Sequence, residues 1–442
     1  MALFSFRMLT MIDLKDFRDD PDRYRRAAAL KRVDVDVDRV LRLDAERLGS
    51  QQALERLRAE QNESSRQIAL LTDLTARRAA IARGAELKRQ LKEAEERTKS
   101  LERALLPLLL LLPQPPDPEV PVGKDDTENV ELKRWGEIPR FDFEPQDHTT
   151  IGARLGLIDI ERGVKLAGSR SYFLTGMGAR LHLAVLRLAF DMMVERGFVP
   201  MTVPVLVRDE AMTGTGYFPI GREQAYAMSN DHPPTYLVGT AEVSLTAYHM
   251  NETLDERTLP RKLVALSACF RREAGTHGKD TAGLYRVHQF DKVEQVVICR
   301  NDAGESKRWH QAMLEHAEAV LQRLNLPHRV VSVCTGDLGQ GQAAKFDIET
   351  WMPSRGGYAE THSASRFYEF QARRLNLKYR DGQGRIRLCH TLNNTVVASP
   401  RILVPLLENH QNADGSVTIP QALRPLVGGQ EHIVPGENAR RD

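Results

Sequence analysis

Two segments decide the fold of this chain, Leu263-Val-Ala-Leu-Ser-Ala-Cys-Phe-Arg-Arg-Glu273 and His288-Gln-Phe-Asp-Lys-Val-Glu-Gln-Val-Val-Ile298. In both, the apolar and β-branched residues of a strand adjoin ionisable side chains. Because alternate residues of a strand share one face, we expect Arg271 and Glu273 to project together. Ionisable groups beside a buried strand are costly unless they are paired or used, so these charges predict a functional site.

A third cluster of this kind is Thr240-Ala-Glu242, which follows Tyr236-Leu-Val-Gly239. The same alternation predicts that Thr240 and Glu242 lie on one face of a strand. Solvent-exposed charges on an edge strand would explain any one of the three clusters. They are a poor explanation of all three together.

The sequence around these clusters alternates between strand and helix patterns. Apolar runs at Leu263–Leu266, Val293–Ile298 and Arg329–Val333 have strand character, whereas Ala179–Arg196 and Lys307–Leu324 have helical periodicity. This alternation predicts an α+β domain of roughly 300 residues with strands near the candidate site.

The N-terminal quarter is different, because Asp22–Leu106 contains no proline. Its apolar residues form an a/d stripe with polar interruptions, which predicts two long helices in an antiparallel hairpin. We place the reversal at Leu71–Ala76, where Thr72 or Asp73 could cap the second helix. A turn near Gly84 is the alternative. The residues of the stripe are Val40, Leu43, Leu54, Leu57, Ile68, Leu71, Leu87, Leu91, Ala94, Leu101 and Leu105.

A proline-dense stretch, Pro113-Gln-Pro-Pro-Asp-Pro-Glu-Val-Pro-Val-Gly123, marks the domain boundary, since neither a helix nor a central strand tolerates it. We therefore expect an N-terminal domain at 11–112, a linker at 113–123 and a second domain at 124–442. Residues 51–103 carry 12 basic and nine acidic side chains. On charge alone, a solvated coiled-coil surface explains the hairpin better than a phosphate-binding arm does.

The composition excludes several classes of protein. The chain has 442 residues, 41% of them hydrophobic and 28% charged, which excludes wholesale disorder. A net charge of +2 does not by itself indicate a nucleic-acid partner, and four scattered cysteines favour a reducing, cytoplasmic compartment. No apolar run approaches the ~20 residues of a membrane span. Met11 is a plausible start, and the glycine-rich nucleotide-binding motifs are missing.

Taken in order, short strings along almost the whole chain resemble the seryl-tRNA synthetases of class II. They begin at Met11-Ile-Asp-Leu-Lys and end at Pro425-Leu-Val-Gly-Gly429. The strings between them are Gly214-Thr-Gly-Tyr-Phe-Pro219, Val238-Gly-Thr-Ala-Glu-Val243, Cys269-Phe-Arg-Arg-Glu-Ala-Gly275, His288-Gln-Phe-Asp-Lys-Val-Glu294, Phe370-Gln-Ala-Arg-Arg374 and Leu407-Glu-Asn409.

The resemblance implies a fold and a function. It implies an α+β class II catalytic domain with an antiparallel sheet and an N-terminal antiparallel coiled-coil arm. It implies ATP-dependent activation of L-serine, transfer of serine to tRNA(Ser), and to tRNA(Sec) if the host has it, by a cytoplasmic homodimer that binds tRNA across its subunits. The segment ending at Pro204 would lie at the dimer interface. With the family in view, a tRNA-binding arm becomes the favoured interpretation of the hairpin.

The resemblance also assigns residues to ATP, Mg²⁺ and serine. Arg271 would bridge the serine carboxylate and the α-phosphate, Glu360 would hold Mg²⁺ with Ser363 beside it, and Arg401 would meet the γ-phosphate; Arg271, Glu360 and Arg401 are the catalytic set. The ATP-binding set is Arg271, Arg272, Glu273, Val287, Phe290, Glu360, Thr361, His362, Ser363 and Arg401. The serine-binding set is Thr240, Ala241, Glu242, Glu294, Asn393 and Thr395.

Three departures from the usual family strings are Asn393-Asn-Thr in place of a glycine-rich string, Glu360-Thr-His-Ser, and Ala282 where arginine is usual. Ala282 lacks the positive charge of that arginine, so the sequence does not predict how this loop contacts the tRNA acceptor end. Three alternatives remain: a carrier-protein ligase of the same fold, a non-enzymatic paralogue, and a specialised second copy of the enzyme. The long hairpin argues against the first and the intact Arg271, Glu360 and Arg401 argue against the second.

Overall fold

The computed structural model describes residues 11–228, 231–275 and 283–435, so Ala282 lies outside the described residues. The helices are α1 (Leu14–Asp19), α2 (Pro21–Leu30), α3 (Val37–Leu70), α4 (Leu74–Leu111), α5 (His148–Arg154), α6 (Ile160–Ala167), α7 (Gly176–Glu195), α8 (Asp209–Gly214), α9 (Glu242–Ala247), α10 (Ala303–Arg323), α11 (Phe370–Leu375) and α12 (Leu403–Asn409).

The strands vary from two residues to twelve. They are β1 (Val130–Trp135), β2 (Ile158–Asp159), β3 (Phe173–Leu174), β4 (Val199–Met201), β5 (Leu206–Arg208), β6 (Tyr226–Met228), β7 (Thr235–Leu237), β8 (Thr253–Asp255), β9 (Arg261–Phe270), β10 (Gln289–Cys299), β11 (His328–Ser332), β12 (Ala344–Met352), β13 (Gly357–Tyr368), β14 (Lys378–Arg380), β15 (Ile386–Leu388), β16 (His390–Ser399), β17 (Val417–Thr418) and β18 (His432–Ile433).

The chain divides into two compact units, the first ending at Pro115 and the second beginning at Pro116. In the first unit, α3 and α4 form the predicted antiparallel hairpin. The Asp73 carboxylate accepts the backbone N–H of Ala76 at 2.7 Å and caps α4, as predicted. Gly84 lies inside α4, where a Cβ would meet Ile68 at 3.6 Å, so the alternative turn there is wrong.

The proline-dense stretch is extended, and its second half belongs to the second unit. The backbone N–H of Asp117 donates to Ala343 O at 2.9 Å, and the Asp117 carboxylate pairs with Arg366. Val120 is buried in a small apolar cluster with Val333. The bounds of a separate linker domain therefore stay a prediction.

An eight-stranded sheet forms the centre of the second unit, in the order β1-β11-β12-β13-β16-β10-β9-β4. Every neighbouring pair is antiparallel except β4 and β9. Helices α7 and α10 cover one face, and α9 and α11 cover part of the other. Along β10, Val293 and Val297 pack in the first core, whereas Val296 and Ile298 pack in the second. The α+β fold with an antiparallel sheet, predicted from sequence, is confirmed.

The register between β10 and β16 shifts by one residue beside the candidate site. Val293 lies opposite Val397, but Glu294 lies opposite Thr395, so Val396 is an extra residue on β16. Val396 and Val397 both pack in the core covered by α7 and α10. The shift therefore turns Thr395 toward the same face as Glu294.

Among the described residues, no helix combines the length and the apolar character that crossing a bilayer requires.

Candidate active site

A cavity of about 220 Å³ opens in the second unit where β9 and β16 end and β10 begins. It collects side chains from segments that are more than a hundred residues apart in the chain. The predicted residues that line it are Arg271, Glu273, Val287, Phe290, Glu360, Thr361, His362, Ser363, Thr395 and Arg401.

The other predicted residues lie outside the cavity wall. Thr240, Glu242 and Glu294 are buried beside it; Lys292 contacts the side chains of Thr240 and Glu294, and the backbone N–H of Glu242 donates to the Thr240 hydroxyl. Ala241 is buried in the apolar core under α9, and Asn393 lies on β16 opposite Val296. Arg272 is exposed, and its backbone N–H donates to Gln224 O at 2.9 Å. Its assignment to ATP stays a prediction, which this cavity does not support.

Arg271 is the first residue after β9, and three contacts fix its position. Its backbone N–H donates to His288 O at 2.9 Å and its Nε–H donates to Gly239 O at 3.3 Å. Its guanidinium carbon lies 5.2 Å from the ring centroid of Phe290. The planar guanidinium is thus held at the cavity wall, where it can present a bidentate edge to an anion.

The expectation that Arg271 and Glu273 share a strand face is wrong, because β9 ends at Phe270. Glu273 has a φ of 52°, in the left-handed region, which turns the chain away from a strand path. Its carboxylate accepts a hydrogen bond from Arg286 Nη1 at 3.0 Å. Both side chains nevertheless line the same cavity.

Thr240 and Glu242 do not share a strand face either. Strand β7 ends at Leu237 and Glu242 begins α9. The Thr240 hydroxyl accepts the backbone N–H of Glu242 at 3.2 Å, a local bond that replaces strand pairing. Sequence alternation could not reveal this turn, because it depends on a side-chain acceptor and not on apolar spacing.

Lys292 is the residue that joins the buried cluster, and the sequence analysis gave it no role. Its ammonium donates to Thr240 Oγ1 at 2.6 Å and to Thr395 Oγ1 at 3.4 Å, and it forms an ion pair with Glu294. The Lys292 and Glu294 side chains are 6% and 2% exposed, so each offsets the cost of burying the other's charge. The signal was present in the sequence, since Phe290, Lys292 and Glu294 alternate on one strand.

Glu242 is held by two residues from strings that had no assigned role. Tyr217 Oη donates to one carboxylate oxygen and Gln371 Nε2 donates to the other, both at 2.7 Å. Burial, together with the nearby charge of Glu294, raises the pKa of Glu242. Tyr217 and Gln371 thus fix the position of a buried carboxyl group, and a cation beside it would favour its ionised form.

Arg401 and Glu360 lie together in the wall of the cavity. Arg401 Nε donates to Tyr285 O at 3.1 Å, and its Nη1 lies 3.8 Å from a carboxylate oxygen of Glu360. Partial removal from water disfavours the Glu360 carboxylate, but the charges of Arg401, Lys345, Arg271 and Arg286 outweigh this effect and lower its pKa. Glu360 is therefore ionised at neutral pH although it lies in a cavity wall.

Lys345 and Arg286 also line the cavity, and neither was predicted as a site residue. Lys345 Nζ lies 3.1 Å from Asp347, a carboxyl whose pKa is raised by burial. Arg286 lies two residues before the string that begins at His288, whereas Lys345 stands in no recognisable string and reaches the cavity through the pairing of β12 with β13. Burial lowers the pKa of His362 to about 3, so this histidine is neutral where it meets Thr361 Oγ1 at 2.8 Å.

The chain matches two family models at separate places. The seryl-tRNA synthetase N-terminal domain matches residues 11–116, and the tRNA synthetase class II core domain (G, H, P, S and T) matches residues 226–410. A curated relative, the serine–tRNA ligase of Deinococcus radiodurans, is 46% identical over 95% of this chain and 98% of its own length. The chain belongs to the seryl-tRNA synthetases.

Solved structures agree with this membership. Seryl-tRNA synthetase from Pyrococcus horikoshii complexed with ATP is 37% identical, with a TM-score of 0.88 over 97% of this chain and all of that one. The cytoplasmic serine–tRNA ligase of Naegleria fowleri in complex with AMP is 30% identical, with a TM-score of 0.83 over 94% of this chain and 96% of that one. The family predicted from sequence is confirmed.

Proposed function

We propose that the cationic cavity binds ATP and that the buried cluster beside it binds L-serine, so that this chain forms seryl-adenylate and transfers serine to tRNA(Ser). The observation that carries the proposal is the junction at Arg271. Arg271 lies between a cavity lined by Arg286, Lys345 and Arg401 and a cluster built on Lys292. The carboxylate of a serine bound in the cluster and the α-phosphate of an ATP bound in the cavity would meet at Arg271.

Adenylate formation requires the serine carboxylate to attack the α-phosphorus in line, with pyrophosphate leaving. Arg271 would bridge the two reacting groups, and its fork suits both a carboxylate and a phosphate. Phe290 would stack on the adenine ring, and Glu273, oriented by Arg286, would accept from its amino group. Arg401 would contact the γ-phosphate. Fixed cations of this kind stabilise charge that develops in the transition state.

Serine would be recognised through its ammonium and its hydroxyl. Glu242 and Thr240 would receive the ammonium, and Glu294 and Thr395, whose side-chain oxygens are 3.5 Å apart, would surround the hydroxyl, with Asn393 further along β16. Alanine would leave these buried polar groups unpaired, at a cost of about 1–3 kcal/mol per group. Threonine would be excluded by the tight packing around them.

Glu360, with Ser363 beside it, would hold Mg²⁺. Both line the cavity and both offer the oxygen donors that this ion prefers. In the described parts of the chain, no group of three His, Cys, Asp or Glu could hold a metal by itself. Glu360 and Ser363 would supply two oxygen donors at the cavity wall, and a Mg²⁺ ion bound there would neutralise phosphate charge.

The remaining partners follow from the helical hairpin and from α7. The hairpin would bind the long variable arm of tRNA(Ser), and of tRNA(Sec) where the host has one. An apolar surface on α7 and the edge strand β4, with Leu183 64% exposed and Val199 56% exposed, would form the interface of a homodimer that binds tRNA across its subunits. We place this activity in the cytoplasm.

The test is serine-dependent ATP–pyrophosphate exchange, followed by charging of total tRNA. Arg271→Ala should lower exchange by at least about 100-fold, and Arg271→Lys should restore little of it, because an ammonium cannot make the bidentate contact. Arg380→Ala, which removes an exposed arginine of β14, is the matched control. If Arg271→Ala keeps more than about a tenth of wild-type exchange, Arg271 is not the bridging cation.

A further inference from the structure

His182 contacts the two strand ends that border the cavity, and it lies on the opposite face of the sheet from the cavity. Its Nδ1 lies 2.8 Å from Ser399 Oγ, and its Nε2 lies 3.0 Å from an Asp291 carboxylate oxygen. Asp291 and Ser399 are register partners on β10 and β16. One imidazole on α7 therefore bonds both members of a cross-strand pair.

The bonded pair stands next to the residues that would hold ATP. Asp291 follows Phe290 directly, and Ser399 precedes Pro400 and Arg401, which line the cavity. Side chains alternate along a strand, so Phe290 and Lys292 face the cavity while Asp291 faces α7.

We propose that His182 is a positioning residue: it fixes the separation between Phe290 and Arg401, and thereby the geometry in which ATP is bound. The ends of strands open more readily than their centres, and β16 ends at Ser399. A bridge from a long, packed helix holds both ends in place. Small displacements of binding groups cost large factors in rate, so the effect should be visible in kinetics.

Serine, histidine and aspartate in hydrogen-bonded order also occur in hydrolases. Here the serine cannot act as a nucleophile, because Ser399 is completely buried and its hydroxyl faces the imidazole. The arrangement is a structural bridge and not a second catalytic centre.

The proposal rests on the proposed ATP cavity, and the test compares two Michaelis constants in pyrophosphate exchange. His182→Ala should raise KM for ATP about tenfold or more, while KM for serine stays within about twofold. His182→Asn can still reach Ser399 and His182→Gln can still reach Asp291, so each should restore part of the loss. Ser399→Ala, a small change in a buried site, should move KM for ATP in the same direction.

His316→Ala is the matched control, because His316 lies on α10 and contacts β10 away from the cavity, with Nδ1 3.1 Å from Gln295 Oε1. It should leave KM for ATP within about twofold. The proposal fails if His182→Ala and Ser399→Ala leave KM for ATP unchanged, if both substrates lose affinity equally, or if His316→Ala has the same effect. If Arg401→Ala also leaves KM for ATP unchanged, the ATP cavity itself is wrongly assigned, and the role of His182 falls with it.

Discussion

In the first unit, Asp44 lies between two arginines, whereas in the second unit Lys292 lies between a glutamate and two threonine hydroxyls. Asp44 accepts from Arg18 and from Arg47, both at 2.7 Å, and uses its two oxygens on them. The cluster around Lys292 instead borders an open cavity. Buried charges are paired in both units, but only the pair around Lys292 lies at the wall of a cavity.

The two units also differ in how they are held together. The apolar core of the first unit gathers at one end of the hairpin, around Phe17 and Leu105. Further along, α3 and α4 meet through polar contacts such as Ser50 Oγ to Thr98 Oγ1 at 2.8 Å. At the turn, Leu70 and Leu74 are exposed. The largest apolar cluster of the first unit therefore lies at the end of the hairpin that is opposite the turn.

The largest expected effect separates the two units by function. Deleting Gln51–Arg97 and joining Ser50 to Thr98 with a short Gly/Ser bridge should keep the core around Phe17 intact. Pyrophosphate exchange should stay near wild type, since no proposed serine or ATP residue is removed. Charging of serine tRNA should fall at least about 100-fold, because the phosphate contacts of the arm would be lost. A shortened protein that charges tRNA at close to full efficiency would make the arm a stabilising coiled coil only.

The second prediction tests whether charge in the catalytic unit serves substrate. Glu294→Ala should lower kcat/KM for serine about 10- to 100-fold more than it lowers the weak activity with alanine, because it removes a partner of the hydroxyl. Steady-state exchange with each amino acid measures the difference. Glu349→Ala is the control, because it removes a glutamate of β12 that pairs with Arg329. It should change the activities with serine and with alanine equally. If Glu294→Ala lowers the activities with serine and with alanine equally, Glu294 serves folding or ATP binding and not the serine hydroxyl.

The third prediction is that acid destabilises the second unit through its buried histidines. The first unit, which ends at residue 115, contains no histidine and lacks this effect. In the second unit, burial lowers the pKa of His310 and His362 to about 3 and of His316 and His390 to about 4. The unfolded chain then binds more protons than the folded one below about pH 6.5, so stability falls as the pH falls, by up to about 1.4 kcal/mol per pH unit for each histidine.

Denaturant unfolding at pH 7 and pH 5 checks this. All three tryptophans lie in the second unit, so their fluorescence reports that unit alone. The fluorescence midpoint should move to lower denaturant at pH 5. An unchanged midpoint would mean that these histidines are not buried in neutral form.

The smallest expected effect is on salt dependence. Arg77, Arg78 and Arg83 are exposed on α4, and replacing each by Glu should weaken tRNA binding and lower the slope of log Kd against log salt by about 1 for each lost phosphate contact. Arg89→Glu is the comparison, since two glutamates of the same helix already pair with Arg89. Filter binding across a salt series measures the slopes. Slopes that match wild type in all variants would place tRNA on another surface.

Local pattern predicted much of the fold and part of the site. The hairpin and its Asp73 cap follow from apolar periodicity and a capping side chain, both of which act within a few residues. Arg271 and Phe290 could be found because they stand in recognisable strings. Lys345 could not, since it reaches the cavity through the pairing of β12 with β13, a contact that no local pattern encodes.

The extra residue at Val396 decides which side chain of β16 faces Glu294. Thr395 faces Glu294 only because β16 carries one more residue than β10 at this point. If the full strand paired regularly, with no unmatched residue, Val396 would lie opposite Glu294 in place of the Thr395 hydroxyl, since a one-residue slip inverts the faces of a strand. Substitutions change one side chain at a time, but a slip of one residue in this register would replace a polar neighbour of Glu294 by an apolar one without any substitution.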